Sequence, residues 1–474
     1  MLKSTYCRYA AVCPVILCGL VLVSSLFTLP LASSQAAEGG LRVAHFVADI
    51  TPPIGEPLAG GFCKPVATIE HPLLAKGVVL TDGGGTYVLC SLDLAGLCNG
   101  AYDRYREAIA EAAGTSPSRV DLHEVQQHTA GLVDTDAQQL LDRQQKPPSM
   151  CTRQYLDTAI RNTAAAVRKA MKQLRPATHV GTGWAAVDRV ASSRRIRMPD
   201  GQIVARMSST RDEKLKKLPE GIIDPKLRTV VFFDGQTPLV ALHYYAMHPQ
   251  SFYGDGRVSY DVPGMARERL EKETKVVQIY FSGCGGNVTM GKYNDGTPQA
   301  RQSLADRLYD AMVRSSKSVQ REAVSPIEWK VAKVLLPLRK GDEFSEPRAE
   351  RTIADAKQSA GSRIKAAMLL AWLHRVKAGR PVEIPCLRMG SLRILGLPGD
   401  TFVEYQLWAQ QACADTFVAV AGFGDFGPVY LCTDQAYTDR GGYEQTFAFA
   451  DPCESLVRAA IADVLGAKPS SPKK

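Results

Sequence analysis

The chain has 474 residues and a formal net charge of +9 at pH 7. Its basic residues are dispersed, with no Lys/Arg-rich block outside the tail 468–474, which excludes the electrostatic footprint of a nucleic-acid-binding protein. No Gly-rich fingerprint follows the first apolar strand, which excludes a dinucleotide-binding fold of the common type.

In chain order, the first segment reads as a leader. Lys3 and Arg8 precede an apolar stretch over 10–31. Ser34 and Ala36 then stand at the minus-three and minus-one positions of a cleavage site, so residues 1–36 read as a secretory signal peptide. Export to the periplasm or beyond is expected. Without Lys3 and Arg8 the mature chain has about 435 residues and a charge of about +7, enough for one large domain. No later stretch reaches the roughly 18 apolar residues of a membrane span.

The remaining nine cysteines are Cys63, Cys90, Cys98, Cys151, Cys284, Cys386, Cys413, Cys432 and Cys453. None forms a CxxC pair, which argues against a zinc ribbon or a thioredoxin-type motif. An odd count leaves at least one thiol without an intrachain partner, and disulfide pairing stays open.

Strand-like apolar runs fall at 41–50, 75–80 and 87–92, the last two joined by Asp82-Gly83-Gly84-Gly85 as a hairpin. Helical spacing follows at 103–113, a strand at 119–127 and a long amphipathic helix at 154–174. Strands are predicted at 178–187, 228–233, 239–245 and 276–281, with helices at 264–273 and 298–314. The later part gives strands at 328–336, 392–397 and 417–421, helix-rich sequence at 350–378, and helices at 402–412 and 452–465. Strands and helices alternate throughout, and no repeat of 20–50 residues is visible. The expected fold is α/β: a single large domain over 40–467, with mixed sheets, flanking helices and a disordered tail at 468–474. The apolar face of 364–376, with Met368, Leu369, Trp372 and Leu373, reads as core packing; a lipid-surface helix is the alternative.

Several polar residues stand just beyond apolar strands, where α/β folds build their sites. They are Asp93, His128, His248, the loop Gly283-Cys284-Gly285-Gly286-Asn287, and Asp400. Imidazoles and a carboxylate suit zinc, yet none of them has local ligand spacing such as HExxH. The glycine loop serves either as a tight turn or as a backbone cradle for an oxyanion. Ser282 beside it lacks the GxSxG pattern of a serine esterase.

Six short segments, in order, resemble the catalytic domain of the neutral, non-lysosomal ceramidases. They are Val47-Ala48-Asp49-Ile50-Thr51-Pro52, Gln127-His128-Thr129, Ala246-Met247-His248-Pro249, Gly286-Asn287-Val288-Thr289, Leu397-Pro398-Gly399-Asp400, and Tyr430-Leu431-Cys432-Thr433 with Tyr437 and Tyr443-Glu444 behind it. The resemblance implies a zinc-dependent hydrolase of an N-acyl amide, ceramide-like or otherwise lipid-like, with Zn2+ held by His128, His248, Asp400 and Tyr430. It implies catalytic parts for Thr289, at the position of the family's serine, and for Arg194 within Ser193-Arg194-Arg195. Three positions depart from the family's pattern. Ala130 replaces a second histidine, Asp400 replaces a glutamate, and Thr289 replaces the serine. Glu404, one helical turn past Asp400, is an alternative ligand. The chain ends before the family's immunoglobulin-like C-terminal domain. Membrane contact is therefore open, and an exported binding protein that keeps the fold without the chemistry is the alternative function.

Overall fold

Three sheets carry the fold in the computed structural model, which describes residues 40–467, and each repeats one local pattern. A hairpin is followed by a helix, and the helix leads to a third strand parallel to the second strand of the hairpin. In the first sheet the hairpin is Leu74–Asp82 and Gly85–Leu92, the helix Asn99–Ala113 and the third strand Val120–Glu124. In the second they are Lys226–Asp234 with Thr237–Tyr245, Asp261–Thr274 and Val277–Ser282. In the third they are Val382–Met389 with Leu392–Pro398, Val403–Ala412 and Phe417–Gly424. Antiparallel strands complete each sheet: Arg42–Asp49 and Arg175–Pro176 in the first, His179–Ala186 and Gln320–Ala323 in the second, Glu328–Val334 in the third. The three units are too far apart in the chain, and too different in sequence, for the pattern to register as a sequence repeat.

The parallel strands are almost wholly buried because both faces are covered, and Asp121, His123 and Glu124 are buried polar residues on the one in the first sheet. One core cluster takes Leu80 and Leu89 from the first sheet, Phe232, Leu242 and Phe281 from the second, and Leu387, Ile394 and Ala421 from the third. The sheets therefore pack on one another with the helices outside. All described elements form one compact unit. The leader expected at 1–36 and the tail at 468–474 lie outside the described residues.

Local chemistry sets the element ends. Thr297 caps Pro298–Lys317, its hydroxyl accepting from Ala300 N at 3.2 Å with proline at the first helical position. The helix-rich stretch 350–378 is two helices, Glu346–Ala354 and Ala360–Lys377. Asp355 Oδ1 accepts from Lys357 N at 2.9 Å, a local turn that competes with the helix, and Ser359 caps the next one. In that second helix Met368, Leu369, Trp372 and Leu373 are buried in the core, so its apolar stripe packs inside the protein. Among the described residues no helix is long and apolar enough to cross a membrane. The nine described cysteines are all free thiols.

Two devices hold the units together. The first is Asp93, at the end of the hairpin of the first sheet. It receives both terminal nitrogens of Arg267, from the helix of the second unit, one at 2.9 Å, and it accepts from Leu74 N at 2.9 Å. Both side chains are fully buried. The second is the glycine loop after Val277–Ser282. A Cβ added at Gly285 would lie 2.8 Å from the Met247 carbonyl carbon and 3.0 Å from His248 N. One added at Gly286 would lie 2.2 Å from the Asp400 carbonyl oxygen. This loop is thus pressed between the chain leading to His248 and the chain carrying Asp400, and only glycine permits the approach.

Two outcomes follow. Arg267→Met leaves Asp93 buried without its cation and is expected to cost about 3–5 kcal/mol of stability, measured by urea unfolding. Gly286→Ala forces the Asp400 backbone away and is expected to cost about 1–3 kcal/mol in the same assay; a neutral result would show that the two segments can part without loss.

Candidate active site

Each predicted ligand leaves a different strand end at the same rim of the packed sheets. The strand Thr237–Tyr245 runs through Ala246 and Met247 to His248, whose backbone N donates to Val288 O at 2.9 Å. Its ring Nδ1 lies 3.2 Å from Gly285 O and acts as donor to that carbonyl. That fixes the tautomer and leaves Nε2 with a free lone pair. His128 follows the strand Val120–Glu124. The strand stops earlier than the apolar run because Gln126 takes a positive φ of 69°, which turns the chain toward the site. The two rings lie 5.4 Å apart between centroids, at 63°.

Asp400 follows Leu392–Pro398 and pairs in parallel register with Tyr430, which follows Phe417–Gly424. Asp400 N donates to Val429 O at 2.6 Å. Phe423 and Val429 both sit at positive φ, 59° and 56°. For a β-branched residue such as Val429 this is strained, and strain of this kind collects at sites that need an exact backbone course. The carboxylate Oδ1 of Asp400 accepts from Gln126 Nε2 at 3.2 Å and stands 3.9 Å from His248 Nδ1.

Arg194 completes the group. Its backbone N donates to Asn287 O at 2.8 Å. Its guanidinium donates to Tyr430 Oη at 3.1 Å, Tyr443 Oη at 2.6 Å and Gln250 Oε1 at 2.8 Å. All of these acceptors are neutral, and Nε has no partner. Arg194 is only 2% exposed. A buried cation without a paired carboxylate is costly unless an anion or a developing negative charge meets it.

Burial sets the ionisation of the group. Desolvation pushes His128 down to about 3, helped by the charge of Arg194, so its imidazole is neutral. Desolvation also lowers His248 well below the ordinary histidine range, with Arg194 and His128 adding to the effect. Asp400 is pushed up to about 7 by burial, against the opposing hydrogen bond from Gln126 and the charge of Arg194. The Tyr430 phenol is driven well above its usual range by burial, followed by the influence of Tyr443 and Asp400.

A cavity of ≈ 470 Å³ opens onto this group. His128, Asp400, Tyr430 and Arg194 line its polar floor with Gln126, Ser208, Gln250 and Tyr443, while Phe62, Leu132, Met207, Met368, Phe426 and Phe447 form apolar walls. His248 stands behind His128 and is 1% exposed. A larger open groove of ≈ 1150 Å³ runs beside Asp49, Glu56 and Glu70; it contains no histidine, cysteine or arginine and lacks the convergent groups of a site.

In kind, two neutral imidazoles, a carboxylate and a phenol are donors that zinc accepts. In spacing, no three His, Cys, Asp or Glu side chains among the described residues close around a common ion position.

The other candidates take different places. Thr289 bridges the His248 backbone and pairs with Ser192; its hydroxyl lies 3.4 Å from His248 O, and it does not line the cavity. Glu404 accepts from Asn287 Nδ2 at 2.8 Å and lines a separate cavity, so Asp400 is the carboxylate facing the histidines. Ser282 donates its hydroxyl to Val125 O at 2.7 Å, inside the core. The glycine loop spends Gly283 N on Tyr245 O, Cys284 N on Gln406 Oε1 and Gly286 N on Thr401 O, so these amides are spacers rather than an oxyanion cradle. Asp93 is the interunit clamp. Sequence reading passed over Gln126, Gln250 and Ser208. The first two adjoin quoted motifs, next to Gln127-His128 and His248-Pro249; nothing in the sequence marks Ser208.

No protein-family model matches the chain, and no curated protein matches it in sequence. Solved structures do. The neutral ceramidase from Pseudomonas aeruginosa superposes with a TM-score of 0.64 at 15% identity, covering 91% of this chain and 76% of that one. A ceramidase complexed with C2 gives 0.65 at 16% identity, covering 90% of this chain and 75% of that one. At this identity the likeness establishes architecture, and the architecture is neutral-ceramidase-like.

Proposed function

We propose that this chain is a hydrolase of N-acyl amides with an apolar acyl chain, acting outside the cytoplasm on the strength of the leader read over 1–36. The observation that carries the reading is one juxtaposition. His128, Asp400, Tyr430 and the buried guanidinium of Arg194 meet at the floor of an apolar-walled cavity, with His248 packed behind His128. The walls suit an acyl chain, and the floor holds the polar groups that fix a reacting carbonyl.

His128, His248, Asp400 and Tyr430 would hold the zinc ion. When bound, zinc supplies Lewis acidity toward a carbonyl oxygen and acidifies water. The remaining chemistry belongs to the chain. Arg194, held by Tyr430, Tyr443 and Gln250, is preorganised to stabilise negative charge on the carbonyl oxygen without rearranging. Thr289 is a positioning residue, acting through the His248 backbone that it bridges.

Metal analysis of the purified protein is expected to find about one zinc per chain, with His128→Ala and His248→Ala each losing it. Unchanged zinc in both variants removes the ligand assignment. With a panel of N-acyl amides, Arg194→Ala is expected to lower kcat/KM by about 100- to 1,000-fold. Chelation should abolish turnover and added zinc restore it. Asp400→Glu, with the longer arm, should hold zinc at least as tightly as the parent. A protein that binds the amides without turning any over in the presence of zinc would instead be a binding protein on the same fold.

A further inference from the structure

Ser208 is the one serine or threonine among the described residues that lines the cavity, and it is 3% exposed. Its hydrogen-bonding state can be worked out from its partners. Arg194 Nη2 lies 2.8 Å from Gln250 Oε1, and a guanidinium can only donate. Gln250 Oε1 is therefore an acceptor, and the orientation of that amide is fixed. The same oxygen is the hydrogen-bond partner of Ser208 Oγ, so the serine must donate its single proton there. What remains on the Ser208 oxygen is lone pairs alone.

The arrangement is braced from behind. Asn294, with no exposed surface, donates from Nδ2 to Ser208 O at 2.9 Å, to Gln250 O at 3.3 Å and to Ser251 O at 2.9 Å. One buried amide thus ties the segment carrying Ser208 to the segment carrying Gln250. Ser208 is a rigid, acceptor-only group on the same polar floor as Arg194 and joined to it through one shared atom.

We infer that Ser208 selects amides over esters, its oxygen accepting the N–H of the bound substrate's amide. This rests on the hydrolase reading of the site. An amide N–H satisfies the serine lone pairs, whereas an ester sets its own oxygen against them. Sites built around a hydrogen bond reject analogues that lack the matching group. Thr289, behind His248, has no access to this role.

The test uses two substrates that differ at one atom, N-(2-hydroxyethyl)dodecanamide and 2-hydroxyethyl dodecanoate, with the purified protein supplied with zinc. The amide-to-ester ratio of kcat/KM is expected to fall by about tenfold in Ser208→Ala and to be retained in Ser208→Thr, which keeps the oxygen. A ratio unchanged in Ser208→Ala overturns the inference, even where both rates fall together. Unfolding midpoints of both variants check that the fold is intact. If the wild type cleaves neither compound, the hydrolase reading fails and calorimetric binding of the same pair decides the role of Ser208. An amide preference of about tenfold that disappears in Ser208→Ala supports it, and equal affinities in the wild type overturn it.

Discussion

The site depends on a backbone contact that no side chain could make. Residues 285 and 286 pass between the segment bearing His248 and the segment bearing Asp400 at a separation that excludes even a methyl group at Gly286. Two strand ends from different sheets are thereby held at a fixed distance. His248 Nδ1 is anchored to the carbonyl of Gly285, so the same loop also sets the ring's tautomer. Asn287 extends the device, since its Oδ1 accepts from Val403 N at 2.9 Å and caps the helix that follows Asp400. The left-handed backbone at Gln126, Phe423 and Val429 is the conformational cost of bringing the remaining groups to the same place.

Electrostatics follow from that geometry. Enclosed by three packed sheets, both imidazoles are shifted toward the neutral form and the Asp400 carboxyl is pushed up to about 7. Arg194 is surrounded there by hydroxyls and an amide rather than by a carboxylate. That buried guanidinium, beneath apolar walls, is the feature on which the proposed hydrolase reading draws.

The departures from the ceramidase pattern have structural readings. Ala130 is fully buried in the main core cluster, and its carbonyl accepts from Ala59 N at 2.8 Å, so its position is given to packing. The shorter arm of Asp400 is met by Gln126. Thr289 spends its hydroxyl on the backbone behind His248, while the cavity receives its hydroxyl from a segment far away in sequence.

Much of this protein was legible in its residues. Apolar runs followed by polar residues marked the strand ends, and the motifs around His128, His248, Asp400 and Tyr430 picked out ends that the structure brings to one rim. The alternation of strands and helices gave the mixed α/β architecture. Three things were decided only in three dimensions. One was the recurrence of the hairpin, helix and parallel strand, because equivalent units share geometry rather than sequence. Another was the role of each polar residue beyond a strand: Asp93 and Asp400 occupy like positions in their units, yet one meets Arg267 and the other meets Gln126. The last was the set of neighbours around Arg194, since Gln250, Tyr443 and Ser208 come from separate loops. Local sequence dictates where a strand stops and which group follows it. Which groups then face each other depends on contacts between units far apart along the chain, and no local pattern encodes those.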